Sequence, residues 1–348
     1  MARLWPRGAP LAGFALAGLL PGGLLILGAW LGGAPLWAGL ALMALAAPLA
    51  DTIAAPEYGD RAEPASSRGA DLISVLLAAL HFALLASVLV ALARPDLPWH
   101  ERAALIIGAG MFFGQSSNAN AHELIHRSRR FLFRLGAAIY LSLLFGHHVS
   151  AHRLVHHRFV ATDADPNSAR LGESFWAFWP RAWVGSFRAG LAAERALTAR
   201  QPGRLNPYLI WTLGAALLCA AILAAFGPRA FANYLLLCAY AQMQLFLSDY
   251  VQHYGLRRAE TAGRPEPVAE RHSWDAPHAI SSLLMVNAPR HSDHHAHPAR
   301  AYPSLRLNRA EARPMLPYSL PVMGALAMIP PLWRRIMDRR VAQMRERS

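Results

Sequence analysis

The chain has 348 residues, 54% of them hydrophobic and only 16% charged, and its net charge of +13 is carried by arginine alone because lysine is absent. That balance excludes an ordinary soluble enzyme and fits a polytopic membrane protein whose basic loops flank apolar spans, so the positive charge calls for no nucleic acid. The two cysteines, Cys219 and Cys238, sit inside apolar runs and hold neither an iron–sulfur cluster nor a Cys-rich zinc site, which assigns any electron-transfer centre to another protein.

The opening residues, MARLWPR, precede an apolar run in the manner of a signal peptide. The run 11–31 is long enough to span, no small-residue cleavage site follows, and a second apolar segment comes at once, so cleavage is not expected. Six stretches approach the ~20 apolar residues that a bilayer core requires. They lie at about 11–31, 34–50, 72–93, 103–121, 209–226 and 230–250. Breaks at Gly32-Gly33, at 94–102 and at Gly227-Pro228-Arg229 pair them into three helical hairpins. Arg3 and Arg7 place the N-terminus in the cytoplasm, so each hairpin returns the chain to that face. The expectation is an all-α, six-span membrane protein, with both termini cytoplasmic and a histidine-rich metal-binding cap on that side. The Pro-, Ser- and charge-rich stretch 51–71 reads as a cytoplasmic linker, and 122–208 and 251–348 as the segments that carry the chemistry.

A seventh apolar run, 131–145, lies between two groups of histidines. A full crossing would put those groups on opposite membrane faces, so the run is expected to lie in the interface or to dip in and return. The candidate at 315–332 is broken by Pro317, Pro321, Pro330 and Pro331 and reads as a segment packed on the domain.

Nine of the sixteen histidines fall in compact groups beside these spans. His122 and His126, in HELIH, are one helical turn apart and share a face. Taken alone, this HExxH is also the zinc-protease pattern, with Glu123 as general base. His152 and His156 repeat the spacing, and the adjacent His157 points to a neighbouring face, so that one such pair can serve two metals. His291, His294 and His295 crowd the stretch RHSDHHAHPARAY, and His253 closes the sixth span. A single zinc has about four ligand positions. Nine candidates overfill it, and imidazole with few carboxylates selects a transition metal over magnesium or calcium without separating iron from copper or zinc.

The boxes HELIH, HRLVHH and RHSDHH, with DYVQHYGL between the second and third, resemble those of the integral-membrane alkane 1-monooxygenases. These belong to the wider histidine-box superfamily of fatty-acid desaturases and hydroxylases. The resemblance extends through ATDADPNSARLGESFWAFWPR, HAHPARAYPSL and PPLWRRIMDRRV, covering most of the chain from His122 onward. It implies a single membrane-embedded domain with a non-haem di-iron centre that uses O2 and two electrons to hydroxylate the terminal carbon of an alkane. The implied iron ligands are His122, His126, His152, His156, His157, His253, His291, His294 and His295. The implied electron donor is rubredoxin, itself reduced by an NAD(P)H-dependent reductase. Departures from the family pattern are Ala151 for a usual Glu, Val155 for Gly, Asp249 for Asn, Gln252 for Glu and Arg127 for Lys.

Glu123 and Asp293, inside the boxes, are expected to orient imidazoles or link them to solvent. His147 and His148 lack the ligand spacing and are assigned interfacial or hydrogen-bonded roles; His297, a candidate tenth ligand, is instead assigned a hydrogen bond to the loop beside Pro298. Arg127, Arg129, Arg130 and Arg134 form a basic strip suited to an acidic electron carrier or to anionic lipid headgroups. Trp30, Trp37, Phe112 and Phe113 either line a hydrocarbon channel or pack. Competing functions are a fatty-acyl desaturase or hydroxylase, an aromatic methyl-group hydroxylase, an intramembrane zinc protease and a metal transporter.

Overall fold

The computed structural model describes residues 10–59, 67–201, 203–307 and 313–346. Arg3, Arg7 and part of the 51–71 linker lie outside the described residues. The described chain is mostly helical, with one two-stranded hairpin pairing Glu260–Thr261 with Arg264–Pro265.

Helix α1 (Pro10–Leu31) turns at Gly32, φ 66°, into α2 (Gly33–Ile53). The two pack backbone against backbone, since a Cβ on Gly28 would stand 2.6 Å from the Leu36 Cα. Helix α3 (Ser67–Ala93) packs along α1. Helix α4 covers residues 99–125 as Trp99–Phe112, a π turn at Phe113–Ser117, and Asn118–Ile125. Helix α5 is Arg130–Ser142, α6 covers residues 148–159, and α7 is Phe175–Arg200. Helix α8 (Pro207–His253) breaks at Gly227, where φ 77° and ψ 174° precede Pro228. Short helices α9 (Ala279–Leu284) and α10 (His291–Ala296) follow, then α11 (Leu320–Ala327) and α12 (Pro330–Glu346).

Among the described residues, four helices are long and apolar enough to cross a membrane: Leu11–Leu31, Gly33–Ile53, Arg68–Ala93 and Pro207–His253. Their outward faces carry Leu16, Leu27, Leu31, Leu72, Leu213, Leu217 and Leu236, all exposed. Helices apolar on every side are stable when the outer face meets lipid. The sequence-expected span at 103–121 falls in α4, divided by its π turn, and those at 209–226 and 230–250 fall in the two arms of α8 on either side of Gly227.

Helix α5 has 13 residues, about 20 Å, which is short of a ~30 Å hydrocarbon core. The chain then turns back at Leu144, φ 56°, and the histidines before and after α5 meet in one cluster. Helix α7 has no counterpart among the sequence-expected elements. The segment 315–332 folds as α11 and the start of α12, with Pro321 and Pro330 in first turns, where a missing N–H costs nothing. Leu320, Met323, Trp333 and Met337 bury there against Tyr250 and Tyr254 in the larger of two apolar cores. The described part of the linker is docked. Asp51, 3% exposed, accepts from the backbone N–H groups of Ile280 (2.8 Å) and Ser281 (3.1 Å) at the start of α9, and Gly59 bridges to Leu307.

Candidate metal centre

Helix ends deliver the histidines. His122 and His126 come from the last turn of α4, His152, His156 and His157 from α6, His253 from the end of α8, and His291, His294 and His295 from α10. All nine meet, in two groups. His122, His126, His152, His157 and His294 bring five ring nitrogens within 4.8 Å of one another, and His156, His253, His291 and His295 bring four within the same limit. Each adjacent pair, His156-His157 and His294-His295, contributes one ring to each group.

The local geometry explains the division. In α10 the ordinary helical repeat puts His291 and His295 on one face, Nε2 to Nε2 3.0 Å, and swings His294 toward the other group. In α6 residues His152–His156 form a π turn, which carries the backbone through an extra residue. His152 therefore faces His157, five residues on, at 2.9 Å, and the expectation that His152 and His156 share a face is corrected.

In the five-histidine group, Nε2 contacts link His126 to His152 at 3.1 Å and His157 to His294 at 3.1 Å. In the other group His253 Nε2 lies 2.9 Å from His291 Nε2. Two nitrogens held at right angles about 2.1 Å from one ion stand about 3.0 Å apart, so these convergences fit a cation in each group. His122 Nε2 and His156 Nε2 are buried with no hydrogen-bond partner, as a metal-facing nitrogen would be. Burial, with neighbouring imidazoles adding to it, holds His152, His157, His291, His294 and His295 well below the ordinary imidazole range, so they present neutral lone pairs.

His156 is oriented by a carboxylate. Its Nδ1 lies 2.9 Å from Asp165 Oδ2, and Asp165 also accepts from Ser168 Oγ at 2.7 Å and from the Asn167 N–H at 3.1 Å. Burial alone would lower the His156 pKa, but Asp165, with the charge of Asp249 adding to it, holds it above the usual value. A carboxylate on one ring nitrogen fixes the tautomer and makes the other nitrogen a stronger ligand. His253 has a weaker counterpart, the His272 carbonyl 3.3 Å from its Nδ1. Asp275 accepts from the Ser292 N–H at 2.9 Å and from its hydroxyl, pinning the first turn of α10.

The carboxylates singled out in the sequence bond elsewhere. Glu123 Oε1 accepts from the Tyr302 N–H at 3.2 Å and lies 2.9 Å from Arg127. Asp293 accepts from Arg300 and from the Arg306 N–H at 2.8 Å, with His297 Nδ1 3.2 Å away. Their recorded bonds tie the loop after α10 to the site. Asp165, which does touch an imidazole, was missed as a site residue; its one sequence signal was its place in the stretch following the second box. His297 is half exposed and outside both groups. Arg127 is turned inward onto Glu123 and Asp71, leaving Arg129, Arg130 and Arg134 exposed. Among the departures, Gln252 donates to the Ala288 carbonyl at 3.0 Å and Asp249 accepts from Asn167 at 2.7 Å, while Ala151 and Val155 are buried.

A cavity reaches both groups. His122 and His152 border it from one and His291 from the other, with Ala119, Leu245, Met285 and Ala288 among its apolar walls. His148 lines it too, stacked on Phe145 at 4.9 Å. Trp30, Trp37, Phe112 and Phe113 do not. Trp30 donates to Ser87, Trp37 stacks near His100, and the two phenylalanines are buried in the second core.

Comparison with known proteins places this arrangement. The fatty acid desaturase family model matches residues 97–327, which contain all nine histidines. The chain is 34% identical over 276 residues to an alkane 1-monooxygenase of Pseudomonas putida, covering 78% of this chain and 68% of that one. It is 33% identical over 336 residues to the alkane 1-monooxygenase of Ectopseudomonas oleovorans, covering 91% and 82%. It is also 30% identical over 247 residues to the hydroxylase component of a Pseudomonas putida xylene/toluene monooxygenase, covering 66% and 62%. The chain belongs to the alkane 1-monooxygenase family, within the fatty acid desaturase and hydroxylase superfamily.

Proposed function

We propose that this protein is a di-iron monooxygenase that hydroxylates the terminal carbon of an alkane, using O2 and two electrons from rubredoxin or a similar small carrier served by an NAD(P)H-dependent reductase. The observation that carries the reading is one mostly apolar cavity bordered by imidazoles of both groups. The proposed ligands are five histidines for one iron and four for the other. Bound iron would supply the reduction of O2 and the attack on an unactivated C–H bond. The chain's own part is placement. Asp165 and Asp275 hold ligand-bearing elements in orientation, and Leu245, Met285 and Ala288 keep water from the reacting end.

The surrounding architecture supports six spans with the histidines and both termini on the cytoplasmic face of the bacterial inner membrane. Gly227 divides α8 into two arms, and α4 brings His122 to the same end as His253. Arg130 and Arg134, with Arg129 beside them at 3.6 Å from Asp71, are exposed to an acidic carrier or to lipid headgroups. A zinc protease is disfavoured, because Glu123, its would-be base, is engaged by Tyr302 and Arg127. A transporter is disfavoured because the histidines gather in two adjoining groups and not along a path. Oxidation of an aromatic methyl group is the second reading, favoured by the likeness to the xylene/toluene monooxygenase component.

Metal analysis of purified protein tests the centre: about two irons per chain are expected, and zinc alone would sink the proposal. Products formed from octane, a fatty acid and a xylene with rubredoxin and its reductase then fix the substrate class. Reporter fusions at the N-terminus and near residue 270 test the orientation.

A further inference from the structure

The cavity wall carries an acceptor that a plain hydrocarbon leaves unused. Gln115, on the π turn of α4, is 8% exposed and lines the cavity, and its Oε1 has no hydrogen-bond partner. The neighbouring amides fix which atom is free. Gln244 Nε2 donates to the Gly110 carbonyl at 2.8 Å, so Gln244 presents its oxygen to Gln115. Gln115 Nε2 donates to that oxygen at 3.1 Å, which leaves Gln115 Oε1 as the open atom. Beside it in this wall, Asn118 donates to the Gly114 and Ala241 carbonyls, and Ser248 to Gln252. Gln115 precedes His122 by seven residues, about 10 Å of helix, so its oxygen marks the end of the cavity away from the histidines.

We propose that Gln115 Oε1 is a recognition point for a hydroxyl at the far end of the substrate, so that the protein takes medium-length primary alcohols and hydroxylates their opposite terminus. This deepens the hydroxylase reading and rests on it. A buried amide oxygen rewards an O–H donor, gains nothing from an ester or aldehyde, and repels a carboxylate, as does Asp249 in the same wall. In the reaction one oxygen atom of O2 enters a C–H bond of the terminal methyl group. The other leaves as water with two protons and the two electrons of the carrier, and the product is a diol with a hydroxyl at each end.

The test compares octane with primary octanol. Wild type is expected to convert octanol to the diol. In Gln115→Met the ratio of kcat/KM for octanol to that for octane should fall about tenfold, the worth of one hydrogen bond to a buried acceptor. An unchanged ratio, or octanal as the main wild-type product, overturns the proposal. A structure of the wild-type protein with octanol gives a readout independent of turnover and of the variant's folding. The alcohol oxygen is expected on Gln115 Oε1, and an oxygen at the histidine end, or water on Gln115, overturns the proposal. Octanol bound at Gln115 with neither compound oxidised would mean that the hydroxylase reading fails while the subsite stands.

Discussion

His152 and His157 face each other across 2.9 Å, five residues apart in sequence, while His156, between them, belongs to the other histidine group. The π turn thus turns one short segment into a divider between two sites. Neighbouring substitutions should therefore have separate effects. His157→Ala is expected to deplete the five-histidine group and His156→Ala the four-histidine group, each leaving about one ion per chain at limiting metal. Metal titration with a spectroscopic readout that distinguishes the two sites checks this. Loss of the same ion in both variants would contradict the division.

Asp165 gives a sharper version. Asp165→Asn keeps the volume and a hydrogen bond to His156 Nδ1 but removes the charge that favours a cation on the opposite nitrogen. Affinity of the four-histidine group should fall about 10- to 100-fold, the usual effect of losing such a partner. The five-histidine group, with no contact to Asp165 among its rings, should keep its ion. Competition with a graded series of chelators measures both affinities in one preparation.

What the sequence conveyed depended on whether the responsible interaction was local. His122 with His126, and His291 with His295, were legible because both stretches follow the ordinary helical repeat. The α6 segment follows a different repeat that no residue marks, so the partner of His152 was misassigned. Gly227-Pro228 announced the break in α8 because glycine tolerates the φ of 77° and proline cannot continue the ladder. Asp165 and Asp275 could not be chosen among other acids, since their partnerships with His156 and Ser292 exist only after folding. Helix α7 escaped notice because Pro180 and its arginines interrupt a hydropathy pattern that served well for the spans.

His147 predicts an acid sensitivity of the fold. It is 5% exposed among Phe145, Trp183 and Phe187, its Nε2 has no partner, and burial lowers its pKa from 6.5 to about 4. Above the unfolded value both states are neutral and the residue adds no pH dependence. As pH falls from 6.5 toward 4 the unfolded chain takes up a proton that the folded protein refuses, so stability is lost across that window. The loss approaches about 3 kcal/mol. His147→Phe should remove it, and should add about 1 kcal/mol near neutrality by deleting an unsatisfied polar atom. Unfolding midpoints in detergent, followed by circular dichroism at several pH values, should show a wild-type deficit that widens on acidification; a constant difference would refute the assignment.

Gly136 sets how closely α5 can approach the first box. A Cβ there would stand 2.8 Å from the Ala121 carbonyl oxygen and 2.8 Å from Leu124 Cβ, and Ala121 immediately precedes His122. Neither contact can swing aside, since one is backbone and the other is the first atom of a side chain. Gly136→Ala must therefore push α5 and the end of α4 apart, at a cost of about 1–3 kcal/mol. Because His122 and His126 ride on that end of α4, the displacement should weaken metal loading of the five-histidine group. The four-histidine group, carried by α6, α8 and α10, should be spared. Unfolding midpoints and site-resolved metal content report the two consequences separately. A variant with normal stability and full loading would mean that the crossing has slack and that His122 is positioned from the α3 side, where Asn120 donates to the Ser74 carbonyl at 2.9 Å.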